Sequence, residues 1–503
     1  MKKDRPTAAL LLLLLAMIAC QRVPYNHVTI VQTSKSGDKL KEVGKEKFET
    51  IATSVHPRVM LDPYATYQQI LGFGGAFTES AAFVLNQLSE PKRAEVLQKY
   101  FSRACAGYSL MRTHINSCDF SLSNYSYAPV PNDTNLTHFS IDEDLDDLLP
   151  LIRDARNVPG AEFKIIASPW TAPIWMKDNQ QWNNGLLKKE WQPTWALFFS
   201  KYIREYVKRG VPIWGVTVQN EPLGNGGQWE SMIFSPGTMA EFIRDHLGPQ
   251  FVRDNLDVKI FAYDQNRDDV AAWADTILAD SLAAEYVWGT AVHWYSSTVD
   301  WYPAALKSVH EKFPDKTLLH TEGCIDNIGN DEPQGIWLTD DWYWRAEATD
   351  WGYYWAADED KKDHPRYAPV YRYARDIIGG MNSWLIGWID WNIALDTKGG
   401  PNHAGNWCLA PVLVDAANDS VYYTPLFYTM SHFSKYIRPD SHRIRAETEA
   451  AELMVTACKN PDDSMVAVVL NQQNHPVTYH LVIESCMAEI TIPDNAIQTL
   501  LIK

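Results

Sequence analysis

Between residues 69 and 392 the chain repeats one pattern eight times: a short apolar run, then a longer amphipathic stretch. The runs are QILGFGGAF (69–77), LMRTHINSCD (110–119), FKIIASPW (163–170), IWGVTVQN (213–220), KIFAYD (259–264), GTAVHWY (289–295), TLLHTEG (317–323) and SWLIGWIDWN (383–392). Apolar runs this short, between polar or glycine residues, read as strands buried on both faces. The stretches between them carry apolar residues at helical spacing, as in WALFFSKYIREYVKRG (195–210), where Gly210 can end the helix. PLFYTMSHFSKYI (425–437) is the helix expected after the last strand, with its Met and Phe on the inner face. Strands separated by helical crossovers lie parallel, and eight such units close into a (β/α)8 barrel. At 503 residues and 46% hydrophobic, the chain can bury that core and a smaller second one.

After about Pro439 the pattern changes. MVTACKN, MVAVVLNQQ, VTYHLVI and AEITIP are short alternating strands separated by Asn, Pro and Asp, as in a β-sandwich. The stretch 27–62 is also strand-like and is expected to pair with this module, closing the chain around the barrel. The fold class is therefore α/β: a TIM barrel with an attached all-β sandwich built from both ends of the chain. Residues 1–20 read as a signal peptide, 22–65 as the N-terminal strands, 66–437 as the barrel and 438–503 as the C-terminal sandwich. The signal reading rests on the charged start Met1-Lys2-Lys3-Asp4-Arg5 and the apolar run Ala8 to Ala19, too short to span a bilayer. Met17-Ile18-Ala19-Cys20 resembles a bacterial lipobox, so Cys20 is expected to carry a lipid anchor that holds an exported protein at the cell envelope.

The formal charge of -17 repels nucleic acid and anionic membrane surfaces but not a neutral substrate. Cys105, Cys118, Cys324, Cys408, Cys458 and Cys486 are dispersed and form no C-x-x-C pair, so neither a zinc ribbon nor a disulfide scaffold is indicated. Asn124, Asn132, Asn135 and Asn418 stand in N-x-S/T sequences, which in a bacterial export product have no glycosylation role. His114, His293, His320 and His403 lack metal-ligand spacing, and no metal or cofactor is implied. Gly72-Phe73-Gly74-Gly75 lacks the spacing of a nucleotide loop and is expected to be a tight turn after the first strand.

Function in a (β/α)8 barrel gathers where the strands end. Here those ends supply Asp119, Trp170, Asn220-Glu221, His293-Trp294-Tyr295, Glu322 and Asp390-Trp391-Asn392. Two glutamates close the fourth and seventh strands, which face each other across the mouth. Paired carboxylates with no metal signature suit cleavage of a glycosidic bond through an oxocarbenium-like transition state. All 20 tryptophans fall between Trp170 and Trp407. Most of them are core residues, while Trp170, Trp294 and Trp391, at strand ends, are expected to offer flat faces to a sugar.

GFGGAFT, SCDFS, ASPWTAPIW, VQNEP, AVHWY, HTEGC, GWIDWN, GGPN and HFSKYI occur in the order found in glycoside hydrolase family 30, which the chain resembles from about Gly72 to its C-terminus. That family includes lysosomal glucosylceramidases, endo-β-1,6-glucanases and some β-xylosidases. The resemblance implies a barrel with a β-sandwich, in agreement with the pattern above. It implies that Glu221 is the general acid/base and Glu322 the nucleophile. It further implies that Asn220 bonds the sugar 2-hydroxyl and that Asp119, Trp170, Trp391, Asn392 and Asn406 contact the glucosyl group. Tyr295 is expected to hydrogen-bond Glu322, Arg112 to order the carboxylates, and His293 to support them.

The expected reaction is retaining cleavage of a β-glucoside by double displacement, glucosylceramidase-type, with Glu322 ionised and Glu221 carrying the proton. Endo-cleavage of β-1,6-glucan is the alternative, and Val-Gln before Asn-Glu-Pro is similar to that branch. A surface lipoprotein that binds glycan without cleaving it is a third reading, disfavoured by two converging glutamates. The loops 178–192, 223–236, 324–345 and 396–412 shape everything beyond the first sugar, and the sequence leaves open whether they form a pocket or a groove.

Overall fold

The computed structural model describes residues 25–51, 53–326, 335–346, 349 and 356–503. Residues 1–20, expected from the sequence to be a signal peptide ending in Cys20, lie outside the described residues, as does part of the loop 324–345.

Eight parallel strands close into a barrel. In chain order they are β1 (Gly72–Phe77), β2 (Leu110–Ile115), β3 (Lys164–Pro169), β4 (Gly215–Thr217), β5 (Lys259–Asn266), β6 (Val287–His293), β7 (Thr317–Glu322) and β8 (Leu385–Asp390). Each pairs with its sequence neighbour, and β8 closes onto β1 from Gly387↔Gly72 to Asp390↔Gly75. The glycine-rich run is therefore the first strand itself and not a turn after it. Glycine is needed there for proximity: a Cβ on Gly74 would sit 1.9 Å from the Leu110 carbonyl oxygen, and one on Gly387 would sit 2.5 Å from that of Gly72. The helix Gln192–Lys208 follows the expected pattern and is left at Gly210, whose φ of +83° suits glycine.

Pleat alternation sorts the barrel interior into layers. At the N-terminal end Leu110, Ile166, Phe261, Ala291, Leu319 and Ile386, from six strands, form one buried cluster packed against Trp214 and Trp288. Two residues further along four of these strands, Arg112, Ser168, His293 and Thr321 follow, all buried. The barrel is thus apolar and sealed below, polar above.

The second module is a ten-stranded sheet folded over on itself. His27–Ser34 lies antiparallel between Ala496–Ile502 and Lys41–Lys47. Arg58–Gln69 lies between His442–Thr448 and Val477–Ile483. The N-terminal strands thus complete the C-terminal sandwich, enclosing Val28, Val59, Leu61, Ile444, Leu481, Ile490 and Leu500. The module docks on the barrel through the last helix, Pro425–Ser434, where buried His432 meets Thr499 Oγ1 at 2.7 Å and Thr33 Oγ1 at 2.8 Å. Burial pushes that imidazole down to about 3, so it bridges the two modules as a neutral ring.

Candidate active site

The polar layer is organised by Asp264, at the C-terminal end of β5. Its carboxylate is fully buried and accepts from Arg112 Nη2 at 2.7 Å, Thr217 Oγ1 at 2.7 Å, Thr321 Oγ1 at 2.5 Å and His293 Nε2 at 3.0 Å. Burial alone would raise such a carboxyl, but Arg112 and His293 outweigh it and hold it well below the usual range. Sequence reasoning passed over Asp264, although it closes the apolar run KIFAYD much as Glu221 closes IWGVTVQN.

Arg112 carries that charge on to the glutamates. Its Nη1 bonds Glu322 Oε2, Nη2 also donates to Asn220 Oδ1 at 2.8 Å, and Nε donates to Ser168 Oγ at 3.0 Å. Tyr295 donates its hydroxyl to the other oxygen of Glu322 at 3.0 Å. Burial pushes the Glu322 carboxyl up, and Glu221 and Asp264 add to that, while His293 and Arg112 pull against it.

Glu221 is held by its backbone. The ladder of β4 ends at Thr217, short of the expected stop at Pro222. Beyond it, Asn220 N still donates to the Pro169 carbonyl at 2.8 Å and Glu221 N to that of Asp264 at 2.9 Å. Glu221 adopts a φ of +48°, and Asp264 (+69°) and Asn392 (+31°) share this left-handed region. Non-glycine residues adopt this region uncommonly, and elsewhere in this chain chiefly in turns such as those at Asn132 and Asp463. His293 Nδ1 lies 3.5 Å from Glu221 Oε1 and 4.0 Å from Glu322 Oε1, and one oxygen of each glutamate falls within 4.8 Å of the other. Burial opposes the charge on His293, but Glu322 and Asp264 outweigh it and push the imidazole up to about 9. Glu221, His293 and Glu322 are close enough to share a cation. A protonated His293 ring has no lone pair to offer one.

Trp170 and Trp391 stack at 5.2 Å with 21° between planes, and the Arg112 guanidinium lies 5.0 and 5.7 Å from their rings. Asn406 donates to Asp119 at 3.0 Å. Thr78 caps the helix Glu79–Asn86 and donates to Asn392 Oδ1 at 2.6 Å. Asp119 Oδ1 and Asn392 Nδ2 are buried without a partner among the described residues, as groups awaiting a ligand's hydroxyls would be. The structure thus brings the two glutamates together with Arg112, Asn220, His293 and Tyr295, and Asp119 together with Asn406.

Two strand-end residues point elsewhere. Trp294, expected to face a sugar, follows lumen-facing His293 and alternates outward. It packs against Tyr373 and Trp388 with Arg372 3.9 Å from its ring. Asp390 likewise turns to Tyr373, whose hydroxyl it accepts at 2.7 Å. The six described cysteines are free thiols, and Cys324 and Cys408 meet at 3.3 Å beside Tyr295, a proximity their spacing did not suggest.

Comparison with known proteins agrees with this geometry. The family description "Glycosyl hydrolase family 30 TIM-barrel domain" matches residues 70–338 and 342–437. "Glycosyl hydrolase family 30 beta sandwich domain" matches residues 440–500. The lysosomal acid glucosylceramidase of Mus musculus is 34% identical over 427 residues, 83% of this chain and 78% of that protein. The endo-1,6-beta-D-glucanase of Neurospora crassa is 28% identical, covering 82% of this chain and 80% of that protein. Among solved structures, SrfJ from Salmonella typhimurium superposes with a TM-score of 0.83 at 30% identity, covering 94% of this chain and 99% of that one. An endo-beta1,6-glucanase superposes with a TM-score of 0.78 at 25% identity, covering 95% and 99%. With both of its modules matched in order, this chain belongs to glycosyl hydrolase family 30 and is a retaining glycoside hydrolase.

Proposed function

We propose that the chain hydrolyses β-glucosides with a lipid-like aglycone, of the glucosylceramide type, using Glu322 as nucleophile and Glu221 as general acid/base. One observation carries the chemistry: an oxygen of each glutamate lies within 4.8 Å of the other. Carboxyls about 5–5.5 Å apart leave no room for an attacking water and mark retaining enzymes, whereas inverting pairs stand about 6.5–9.5 Å apart.

Glu322, aligned by Arg112 and Tyr295, attacks the anomeric carbon. Glu221 gives its proton to the departing oxygen, so the aglycone leaves neutral and a glucosyl ester forms on Glu322. Glu221, now a carboxylate, takes a proton from water as that water attacks the ester, and the β-configured sugar departs. Glu322 already accepts from two donors, which suits the attacking carboxylate and leaves Glu221 to serve as the acid. His293 and Arg112 offset the negative charge that the pair gathers during the cycle.

The lipid-like aglycone is supported by the rim. Leu186 and Leu223 are 51% exposed on the loops after β3 and β4, and Trp407 is 39% exposed beside Asn406. Large apolar side chains exposed on loops that follow the barrel strands suit an apolar partner. The test is release of ceramide from fluorescent short-chain glucosylceramide in detergent. Oligosaccharides released from β-1,6-glucan, with the lipid untouched, would instead select the endo-glucanase reading, which the similarity to endo-β-1,6-glucanases keeps in play. Anchoring at Cys20 would hold the enzyme against membrane-borne substrate, and Cys20→Ala should abolish labelling by an alkyne fatty acid.

A further inference from the structure

Nine residues beyond Glu221, the loop after β4 carries a second carboxylate, Glu230, for which the reaction above has no use. Its side chain is 0% exposed. Oε1 accepts from Ser117 Oγ at 2.6 Å and from Asn124 Nδ2 at 2.6 Å, both on the segment after β2. Oε2 lies 3.2 Å from His403 Nε2, on the loop after β8. His403 Nδ1 lies 3.0 Å from the Ser121 carbonyl oxygen, and its backbone N–H donates to the same oxygen at 3.0 Å. Nδ1 thus faces an acceptor, while Nε2 lies between Glu230 Oε2 and the Asn124 amide nitrogen, 3.1 Å away; a protonated ring forms an ion pair with Glu230. Burial opposes that charge, but Glu230 outweighs it and pushes His403 up to about 9.

The segment 402–406 is a small closed turn. Asn402 Oδ1 accepts from Asn406 N at 2.9 Å, and Asn402 Nδ2 donates to the Asn406 carbonyl at 2.5 Å. One end of this turn is fixed to Glu230 through His403. The other end delivers Asn406 to Asp119, the pair at the candidate sugar site. We propose that the Glu230–His403 ion pair is a positioning clamp that ties the loops after β2, β4 and β8 together and sets where Asp119 and Asn406 meet the sugar. Neither residue touches substrate. The charges matter because Glu230 is fully buried, so removing His403 leaves its carboxylate without a counter-charge, and removing Glu230 releases His403 and its turn. The inference rests on the proposed glucoside site and deepens it by adding residues that set its grip on the sugar.

The variants His403→Gln and Glu230→Gln keep size and hydrogen bonding but remove one charge each. With 4-nitrophenyl β-glucoside, each raises KM about tenfold to a hundredfold and leaves kcat within about threefold, the signature of a displaced binding group. Asn406→Ala raises KM by itself, and adding His403→Gln to it costs less than about twofold more, because the clamp acts through Asn406. An unchanged KM in both charge variants, or a His403→Gln penalty that multiplies in full on Asn406→Ala, overturns the clamp. Hydrogen exchange of the peptide spanning 402–407 reads the same device without substrate. Exchange there accelerates about tenfold in both charge variants when the turn lifts, and unchanged protection overturns the proposal. A wild-type chain inactive on the glucoside but with lifted turns in the variants counts against the substrate reading and supports the clamp.

Discussion

The two ends of the barrel are built from the same strands, two residues apart. Leu110, Ile166, Ala291 and Leu319 fill the lower layer, and Arg112, Ser168, His293 and Thr321 fill the upper one. Below, apolar side chains under Trp214 and Trp288 need only volume and shape. Above, each buried charge needs a partner: Asp264 answers Arg112 and His293, and Arg112 answers Glu322. Desolvation makes such a layer costly unless its network is complete. The lower end therefore holds the barrel together, while the upper end holds Glu221 and Glu322 against Arg112 and His293, with Asp264 buried behind them.

The sharpest way to break the contrast is at the nucleophile. Glu322→Gln should keep the fold and lower kcat on 4-nitrophenyl β-glucoside by about 10⁴-fold or more. A smaller loss moves the covalent step elsewhere. Glu221→Ala should lower turnover of poor leaving groups by about 10²–10⁴-fold, the usual worth of general acid–base catalysis. Azide should restore release as the β-glucosyl azide, and an α-configured product read by NMR would contradict retention.

The lower layer should respond in the opposite sense. Leu319→Ala opens a cavity in a fully buried cluster and should cost about 2–5 kcal/mol in denaturant unfolding. Its kcat and KM should stay near wild type at temperatures where it is folded, and a large kinetic effect would show that the layers are coupled.

The smallest effect is in pH. His293 is held charged to about 9 against an ordinary 6.5. Its contribution to stability is full below about 6.5 and fades as pH rises through about 9, because only the folded state keeps the proton over that window. His403, also pushed up to about 9, acts in the same direction. The thermal midpoint should fall from about pH 7 to 9.5, less steeply in His293→Gln and with the full slope in Leu319→Ala. Equal slopes in all three would mean that the charged layer is not what titrates.

Strand positions were readable because eight buried runs alternate with helical stretches, and the two glutamates because each ends such a run. Asp264 stands as plainly at the end of KIFAYD, but nothing local shows that its carboxylate turns to a buried arginine. Trp294 was misread because position at a strand end does not settle which face of the pleat a side chain takes. Glu230 and His403 lie 173 residues apart in sequence, and neither segment carries a local pattern that announces the other.

By itself the sequence determined the barrel, the sandwich made from both chain ends and the identity of two facing glutamates, because hydrophobic periodicity and strand order are local properties read along the chain. Tertiary structure alone decided other meetings: Arg112 with Asp264, His403 with Glu230, Cys324 beside Cys408. Those meetings depend on barrel closure, which sets distant loops side by side around a mouth where every buried charge must find its partner.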